Sequence, residues 1–167
     1  MAYFTTNKKL KSGTRLFRGT PSGSKKDAEL FTEEIRKEKY PSRPSRLTSV
    51  FVAPTFEAAR EWQQTFRTRY IYKVKVSGRG FQTDGTYWTE IAFKVYEGNL
   101  EWAASWAESY WEGSSSGFLP ELLVKSAKIE RLVWELGSGF VDAAGERVND
   151  LIAGELLDIA KGLRDIL

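Results

Sequence analysis

The chain has 167 residues, of which 41% are hydrophobic and 28% are charged, a composition typical of a single globular domain spanning residues 1–167. It contains neither cysteine nor histidine. Disulfide scaffolds, zinc–thiolate sites, catalytic thiolates and Ser–His hydrolase mechanisms are therefore excluded, and we expect no bound metal.

The two halves of the chain carry opposite net charge. Residues 1–80 hold 18 basic and 7 acidic side chains (net +11), whereas residues 81–167 hold 7 and 15 (net −8). Such separation either marks an anion-binding surface in the first half or is neutralised when the halves fold together. The N-terminal residues lack the apolar region of a secretory signal, and no apolar run approaches the ~20 residues of a membrane span. We therefore expect a cytoplasmic protein without a membrane partner.

Local patterns predict a mixture of strands and helices in chain order. Apolar and β-branched runs predict strands, whereas apolar residues spaced three or four apart after a polar capping residue predict helices. The predicted elements are a strand at residues 15–18, a helix from Ser24 to just before Pro41, a strand at residues 47–52, a helix after Thr55, strands at residues 70–76 and 91–95, a helix at residues 100–111, strands at residues 121–124 and 129–134, and an amphipathic helix at residues 148–166. Strand pairs without regular βαβ alternation predict an α+β fold.

Three polar motifs lie within predicted strands or at their ends. The sequence contains none of the glycine-rich motifs that bind phosphate. Arg18 ends the first strand in Leu-Phe-Arg-Gly, Ser49 lies in Leu-Thr-Ser-Val-Phe, and Glu121 opens a late strand in Phe-Leu-Pro-Glu-Leu-Leu-Val. Together and in this order they resemble the Arg–Ser–Glu motifs of ADP-ribosyltransferases, over roughly residues 15–134.

The resemblance implies an α+β fold in which two sheets enclose a cleft for NAD, with helices at their flanks. It implies transfer of ADP-ribose from NAD, a substrate here, to an acceptor with release of nicotinamide. The acceptor could be a protein, a nucleic acid or a small molecule. We therefore expect a small single-domain member of bacterial or phage type. Its size and its lack of a signal and of cysteine suit an intracellular toxin, a bacteriophage effector in the host cytoplasm, or a defence protein.

The chemistry of the reaction suits these residue types. Cleavage of the nicotinamide–ribose bond builds positive charge on the ribose, as in glycoside cleavage, and a carboxylate such as Glu121 stabilises that charge. Arg18, next to Gly19, offers planar donors for the pyrophosphate or the adjacent ribose. Ser49, or Thr48 in its place, supplies a hydroxyl that holds the ring or the glutamate.

Two aromatic residues are candidates for stacking against the ligand. Phe51 shares a predicted strand with Ser49 and is assigned to nicotinamide, while Tyr40 is expected over the cleft. The tryptophans at positions 102 and 106 are expected in the core. The basic loop that holds Arg43 and Arg46 either contacts a phosphate or an anionic acceptor, or is solvated.

Several alternatives stay open at this point. Glu90 competes with Glu121 for the catalytic role because aromatic residues flank it. Arginine-directed members carry Glu or Gln two residues before the catalytic glutamate, and Leu119 stands there, so an arginine acceptor is not predicted. The alternatives to the transferase are a NAD glycohydrolase with water as acceptor, a non-enzymatic nucleic-acid-binding domain, and an inactive relative that binds a protein partner.

Overall fold

The computed structural model describes residues 1–18, 24–113, 119–137 and 139–140, and within these residues the chain forms eight strands and four helices. In chain order they are β1 (Ala2–Thr6), β2 (Arg15–Leu16), α1 (Ser24–Lys39), β3 (Val50–Val52), α2 (Phe56–Phe66), β4 (Tyr70–Ser77), β5 (Phe81–Asp84), α3 (Gly85–Tyr96), α4 (Leu100–Glu112), β6 (Pro120–Val124), β7 (Ser126–Glu135) and β8 (Gly139–Phe140). The helix predicted at residues 148–166 lies outside the described residues. Among the described helices, none has the length and apolar character needed to cross a bilayer.

The strands form two antiparallel sheets, which confirms the predicted α+β class. The larger sheet has the order β1-β4-β7-β2 with β8 beside β7, and the smaller sheet has the order β3-β6-β5. The chain passes from the smaller to the larger sheet at Lys125, between β6 and β7. The first core cluster packs the two sheets together through residues such as Val52, Tyr72 and Ile129.

Helices pack on the outer face of the smaller sheet and on part of the outer face of the larger sheet. Side chains alternate between the two faces of a strand. The third core cluster therefore joins Leu123 and Phe51, on the other face of the smaller sheet, to side chains from α1, α3 and α4. The second cluster packs α2 against the outer face of the larger sheet around Ile71. The order of layers is α2, larger sheet, smaller sheet and the three remaining helices.

Most predicted elements are confirmed, but the strand at residues 91–95 is wrong. These residues lie in α3, whose first turn is capped by Asp84 Oδ1 accepting from the Thr86 N–H at 2.8 Å. Ile91 is buried and Phe93 is 53% exposed. The apparent alternation of apolar residues therefore comes from one core residue and one surface residue of a helix.

The strand predicted at residues 47–52 is wrong in its first half. It is confined to Val50–Val52, because the Ser45 carbonyl accepts hydrogen bonds from the N–H groups of Thr48 and Ser49 at 3.3 and 3.1 Å. Residues 45–49 therefore form a turn that enters β3. Trp102 also differs from expectation, since it is 59% exposed instead of lying in the core.

Candidate functional site

A cavity of about 530 Å³ opens where strands of both sheets meet the surrounding helices. Its wall includes side chains from β1, β3, β6, α1, α2 and α3, and its volume lies within the ~300–1,000 Å³ typical of small-molecule sites. The charged residues that line the cavity are Arg18, Lys25, Glu29, Arg46 and Glu121.

The register of the smaller sheet directs Glu121 into this cavity. Phe51 on β3 pairs with Leu123 on β6, and residues two apart on a strand share a face. Glu121 and Phe51 therefore lie on the face that meets the helices. The Glu121 side chain is only 6% exposed, so its charge requires partners.

Arg46 is the principal partner of Glu121. Its Nη1 lies 2.7 Å from Glu121 Oε1, while its Nε and Nη2 donate to the two carboxylate oxygens of Glu29 at 3.0 and 3.2 Å. Arg46 Nη1 also donates to the Tyr110 hydroxyl, which in turn donates to Glu121 Oε1. These side chains form a buried network at the base of the cavity.

Aromatic rings surround the Arg46 guanidinium and exclude water from it. Its Cζ lies 4.4 Å from the centroid of the Phe51 ring and 4.9 Å from the centroids of both Trp88 and Tyr110. Such cation–π contacts gain strength when the cation is desolvated. The guanidinium is therefore held by carboxylates in its plane and by rings around it.

The environment moves the pKa values of Arg46 and Tyr110 upward. Burial alone would lower the pKa of Arg46, but the carboxylates of Glu121 and Glu29 raise it above its ordinary value. Burial raises the pKa of Tyr110 well above 10, with a further contribution from Glu121. Arg46 is therefore a permanent cation and Tyr110 a neutral hydroxyl that donates to the carboxylate.

The two oxygens of Glu121 have different environments. Oε1 is anchored by Arg46 and Tyr110, whereas Oε2 accepts no hydrogen bond from any described residue. Oε2 faces Gly85, where an added Cβ would lie 3.2 Å from it. Gly85 lines the cavity and keeps open the space beside this oxygen. One oxygen thus fixes the carboxylate and the other is available to a ligand.

Arg18 lies on the same cavity wall and keeps part of its guanidinium accessible. Its Nε donates to the Arg46 carbonyl at 3.0 Å and its Nη2 to Glu29 Oε1 at 2.8 Å, while its side chain stays 20% exposed. Burial lowers the pKa of Arg18, and Glu29 partly offsets that effect. Nη1 donates to no described residue, so it remains available for an anionic group.

Further polar atoms in the cavity wall have no partner among the described residues. They are the buried atoms Trp62 Nε1, Thr68 Oγ1 and Trp88 Nε1. Buried donors in native proteins are nearly always paired, so such a group needs an explanation. The three atoms are themselves closed to solvent, so we assign none of them to a ligand in the cavity.

The structure brings three of the sequence-predicted site residues to the cavity: Arg18, Phe51 and Glu121. Phe51 differs from its predicted environment because the Arg18 and Arg46 guanidinium carbons both lie within 4.6 Å of its ring centroid. The Phe51 ring therefore packs against the guanidinium groups of both arginines at the cavity wall. Trp88 offers a second ring to a ligand from the same wall.

Ser49 and Thr48 lie away from the lining of the cavity. The Ser49 hydroxyl donates to the Ser45 carbonyl at 2.7 Å, and Ser49 is 3% exposed. Thr48 is exposed within the same turn. Both therefore belong to the turn at residues 45–49, which contains Arg46, and the Ser49 hydroxyl contributes to the site by holding that turn.

The other candidates have separate locations. Tyr40 follows α1 and packs against the third core cluster, outside the cavity lining. Glu90 is a half-buried residue of α3 that also does not line the cavity. Gly19 lies outside the described residues. Of the two candidate glutamates, the cavity therefore contains Glu121.

Sequence reasoning missed Glu29 and Tyr110. It placed Arg46 in a basic loop that either contacts a phosphate or an anionic acceptor or is solvated, whereas the structure buries Arg46 against Glu29 and Glu121. A signal for Glu29 existed, since α1 has few apolar residues and must bury polar ones to pack on one side. It buries Glu29, Thr32 and Glu33. Buried acids on a helix next to an arginine-rich loop indicate an ion-pair network. Among the described residues, no group of acidic side chains is placed to hold a metal ion.

The comparisons with known proteins give a family but no activity. No curated protein matches the chain. Residues 4–132, which extend from the middle of β1 into β7 and include all the charged residues of the cavity, match one family. The chain therefore belongs to the family described as "Protein of unknown function (DUF2441)".

Proposed function

We propose that this protein cleaves the nicotinamide–ribose bond of NAD and transfers ADP-ribose to an intracellular acceptor. The observation that carries the proposal is a pair of polar atoms in one cavity, Glu121 Oε2 and Arg18 Nη1, that have no partner among the described residues. A carboxylate and a guanidinium, both fixed by other contacts, can each offer this atom to the same ligand.

The charges of NAD match this arrangement. Its nicotinamide ring is a cation and its pyrophosphate is an anion, so a complementary site needs one group of each sign. Glu121 would lie beside the nicotinamide ribose, and Arg18, with the exposed Lys25 on the same wall, would bind the pyrophosphate. Trp88 would supply a planar surface for the nicotinamide ring.

In the proposed reaction, the bond between ribose C1′ and the nicotinamide nitrogen breaks, and its electron pair leaves with neutral nicotinamide. The ribose carbon becomes cationic, and a lone pair of the acceptor then forms the new bond to C1′. The acceptor loses its proton to solvent. Glu121 Oε2 stabilises the cationic ribose electrostatically and donates no atom to the product.

Arg46 and Tyr110 are assigned positioning roles. They hold Glu121 Oε1 and so orient Oε2, and the raised pKa values of both groups keep this arrangement unchanged across the neutral range. A preorganised charge in a site that excludes water stabilises a transition state more strongly than one in solvent. This explains how the site can work without histidine or cysteine.

The architecture supports an ADP-ribosyltransferase-like fold. Two antiparallel sheets pack against each other, as the family resemblance implies. Arg18 follows β2 of the larger sheet, and Glu121 lies near the start of β6 of the smaller sheet. The hydroxyl motif is the feature that departs from the resemblance, because Ser49 holds a turn.

The test is nicotinamide release from NAD in the presence of a cell lysate, with mass spectrometry for ADP-ribose adducts. Glu121→Gln keeps the size of the side chain but removes the charge, and we expect release to fall by about a hundredfold or more. Glu90→Gln is the matched control and should retain activity. Circular dichroism of each variant verifies its fold.

Two results would contradict the proposal. One is a folded wild-type protein that neither binds NAD in calorimetry nor releases nicotinamide with any lysate. The other is an active enzyme in which the folded Glu121→Gln variant keeps full turnover. Loss of turnover in the Glu90→Gln variant alone would instead assign the catalytic role to Glu90 on α3.

A further inference from the structure

The outer face of the larger sheet divides into two halves. One half is apolar and covered by α2, where the Phe56 ring lies 5.7 Å from the Tyr3 ring and 6.4 Å from the Trp134 ring. The other half is made by the beginning of β7 and the strands that pair with it there. The helices α1, α3 and α4 pack on one another and on the smaller sheet, away from this half.

Basic residues stand side by side across this uncovered half. Arg15 on β2 pairs with Lys128 on β7, and Lys128 pairs on its other side with Lys75 on β4. Two residues earlier on β4, Lys73 pairs with Arg131 on β7. We call these two lines of cross-strand neighbours the basic rows.

Carboxylates do little to neutralise the basic rows. The Lys73 Nζ lies 3.6 Å from Glu130 Oε2, and among the described residues the other four members of the rows have no ion pair. Those four, Arg15, Lys75, Lys128 and Arg131, are also exposed. Like charges directly opposite each other destabilise a sheet. A bound polyanion would remove this repulsion.

We propose that the basic rows bind the phosphate backbone of nucleic acid. Neighbouring strands lie about 4.8 Å apart, so the first row, which crosses three strands, spans roughly 10 Å. The backbone of a nucleic acid strand carries one negative charge per nucleotide, so a row of this length can contact more than one phosphate at once. Three cations in one row thus suit a polyanion better than a single phosphate group.

The surroundings favour phosphates of nucleic acid over a lipid surface. Proteins that bind membrane surfaces combine basic residues with exposed aliphatic or aromatic side chains that enter the bilayer. Among the described residues, none of the exposed large hydrophobic side chains lies on β2, β4 or β7, and the exposed Phe17, which follows β2, lines the cavity. The strands that carry the rows therefore offer no ring on which bases could stack, which predicts binding without sequence preference.

The net charges of the two halves of the chain do not indicate this basic surface. Lys128 and Arg131 come from the half of the chain with net charge −8, and the fold places them beside Lys73 and Lys75 from the basic half. Nucleic acid binding at the basic rows goes beyond the proposed reaction and does not depend on it, since none of these residues lines the cavity.

The experiment measures the binding of a short, fluorescently labelled DNA duplex by anisotropy, with the full chain and without NAD. The test variant is Lys75→Gln/Lys128→Gln. The matched control is Lys26→Gln/Lys37→Gln, which removes the same charge from exposed positions on α1, in the opposite layer of the molecule. Anionic phospholipid vesicles at equal phosphate concentration form a second arm.

We expect wild-type affinity to fall steeply between about 50 and about 200 mM salt. The test variant should bind about tenfold more weakly at low salt, with the slope of log K against log salt reduced by about 1.8, while the control keeps the wild-type slope. Absence of wild-type binding at low salt, equal effects of the two double variants, or tighter binding to vesicles than to the duplex would each overturn the proposal. Because the assay contains no NAD, these outcomes are independent of the proposed reaction.

Discussion

The Arg46 guanidinium lies 2.7 Å from Glu121 Oε1, so a loop near the start of the chain and a strand near the end of the described residues meet in a buried ion pair. Glu29 completes the arrangement by accepting from both Arg46 and Arg18. Two arginines and two glutamates thus balance one another at the base of the cavity. This balance makes the geometry of the cavity depend on the same contacts that stabilise the fold.

Arg46→Met tests that dependence. The variant leaves Glu121 and Glu29 buried without their shared cation, and breaking a buried ion pair from one side costs about 3–5 kcal/mol. We expect the free energy of unfolding, measured by urea denaturation, to fall by about that amount. Arg79→Met is the control, because Arg79 is exposed and should change stability by no more than ~0.5 kcal/mol. Equal stability of both variants would refute the role of the network.

Ser49→Ala separates a turn-holding hydroxyl from one that contacts the ligand. The Ser49 hydroxyl donates to Ser45 and lies outside the cavity lining, so we expect a loss of about 1 kcal/mol in the free energy of unfolding. The affinity for NAD, measured by calorimetry, should stay nearly unchanged. A folded variant that loses NAD affinity without losing stability would instead show that the Ser49 hydroxyl contacts NAD directly.

The sequence is informative wherever a local pattern decides the structure. The alternation of Tyr70, Tyr72 and Val74 predicted β4 and the face that it buries, and both are confirmed. Glu121 could likewise be placed at a strand start from its neighbours. Local patterns fail where residues distant in the chain determine the structure, as for Arg46. Its burial depends on Glu29 and Glu121, which are far apart in the sequence and lie close together because α1 packs with the smaller sheet in one core cluster.

The turn at residues 45–49 shows a second kind of failure. The strand predicted at residues 47–52 begins inside this turn, because the β-branched and aromatic composition of that run is typical of a strand. Nevertheless, the serine side chains form local hydrogen bonds: Ser45 Oγ accepts from the Leu47 N–H at 3.1 Å, and Ser49 Oγ donates back to Ser45. Such side-chain-to-backbone bonds compete with a sheet ladder, and here they displace it.

Arg18→Ala tests the anion-binding end of the cavity. The loss of a hydrogen bond to a charged group costs about 1.5–3 kcal/mol, so NAD affinity in calorimetry should fall about tenfold or more. The fold should persist, because Glu29 keeps its contacts with Arg46. Arg15→Ala, three residues earlier on the outer face of the larger sheet, should bind NAD as the wild type does. Equal NAD affinity of both variants would show that Arg18 does not bind the pyrophosphate.

Tyr110 predicts a loss of stability at alkaline pH. Burial raises its pKa in the folded protein well above 10, whereas the unfolded chain ionises near 10. The contribution is fully present below pH ~10 and is lost as pH rises toward the folded pKa, at up to ~1.4 kcal/mol per pH unit. Urea denaturation between pH about 9 and about 11 should therefore show a smaller slope for Tyr110→Phe than for the wild type. Tyr96→Phe, at a position 79% exposed, should keep the wild-type slope.

Gly85→Ala examines the free oxygen of Glu121 without removing any charged group. An added Cβ would lie 3.2 Å from Glu121 Oε2 and 3.3 Å from the Leu119 carbonyl oxygen, both tighter than an ordinary contact. Gly85 is the first residue of α3 and has no positive φ, so alanine suits its backbone. The methyl group therefore occupies the space that the proposal gives to the ribose. We expect nicotinamide release to fall at least tenfold, an effect of about 1.4 kcal/mol on the barrier, while the melting temperature changes by only a few degrees. A variant with wild-type turnover would show that no reacting group comes close to Oε2. A variant that unfolds would leave the question to Arg18→Ala and Glu121→Gln, which approach the same cavity from its other walls.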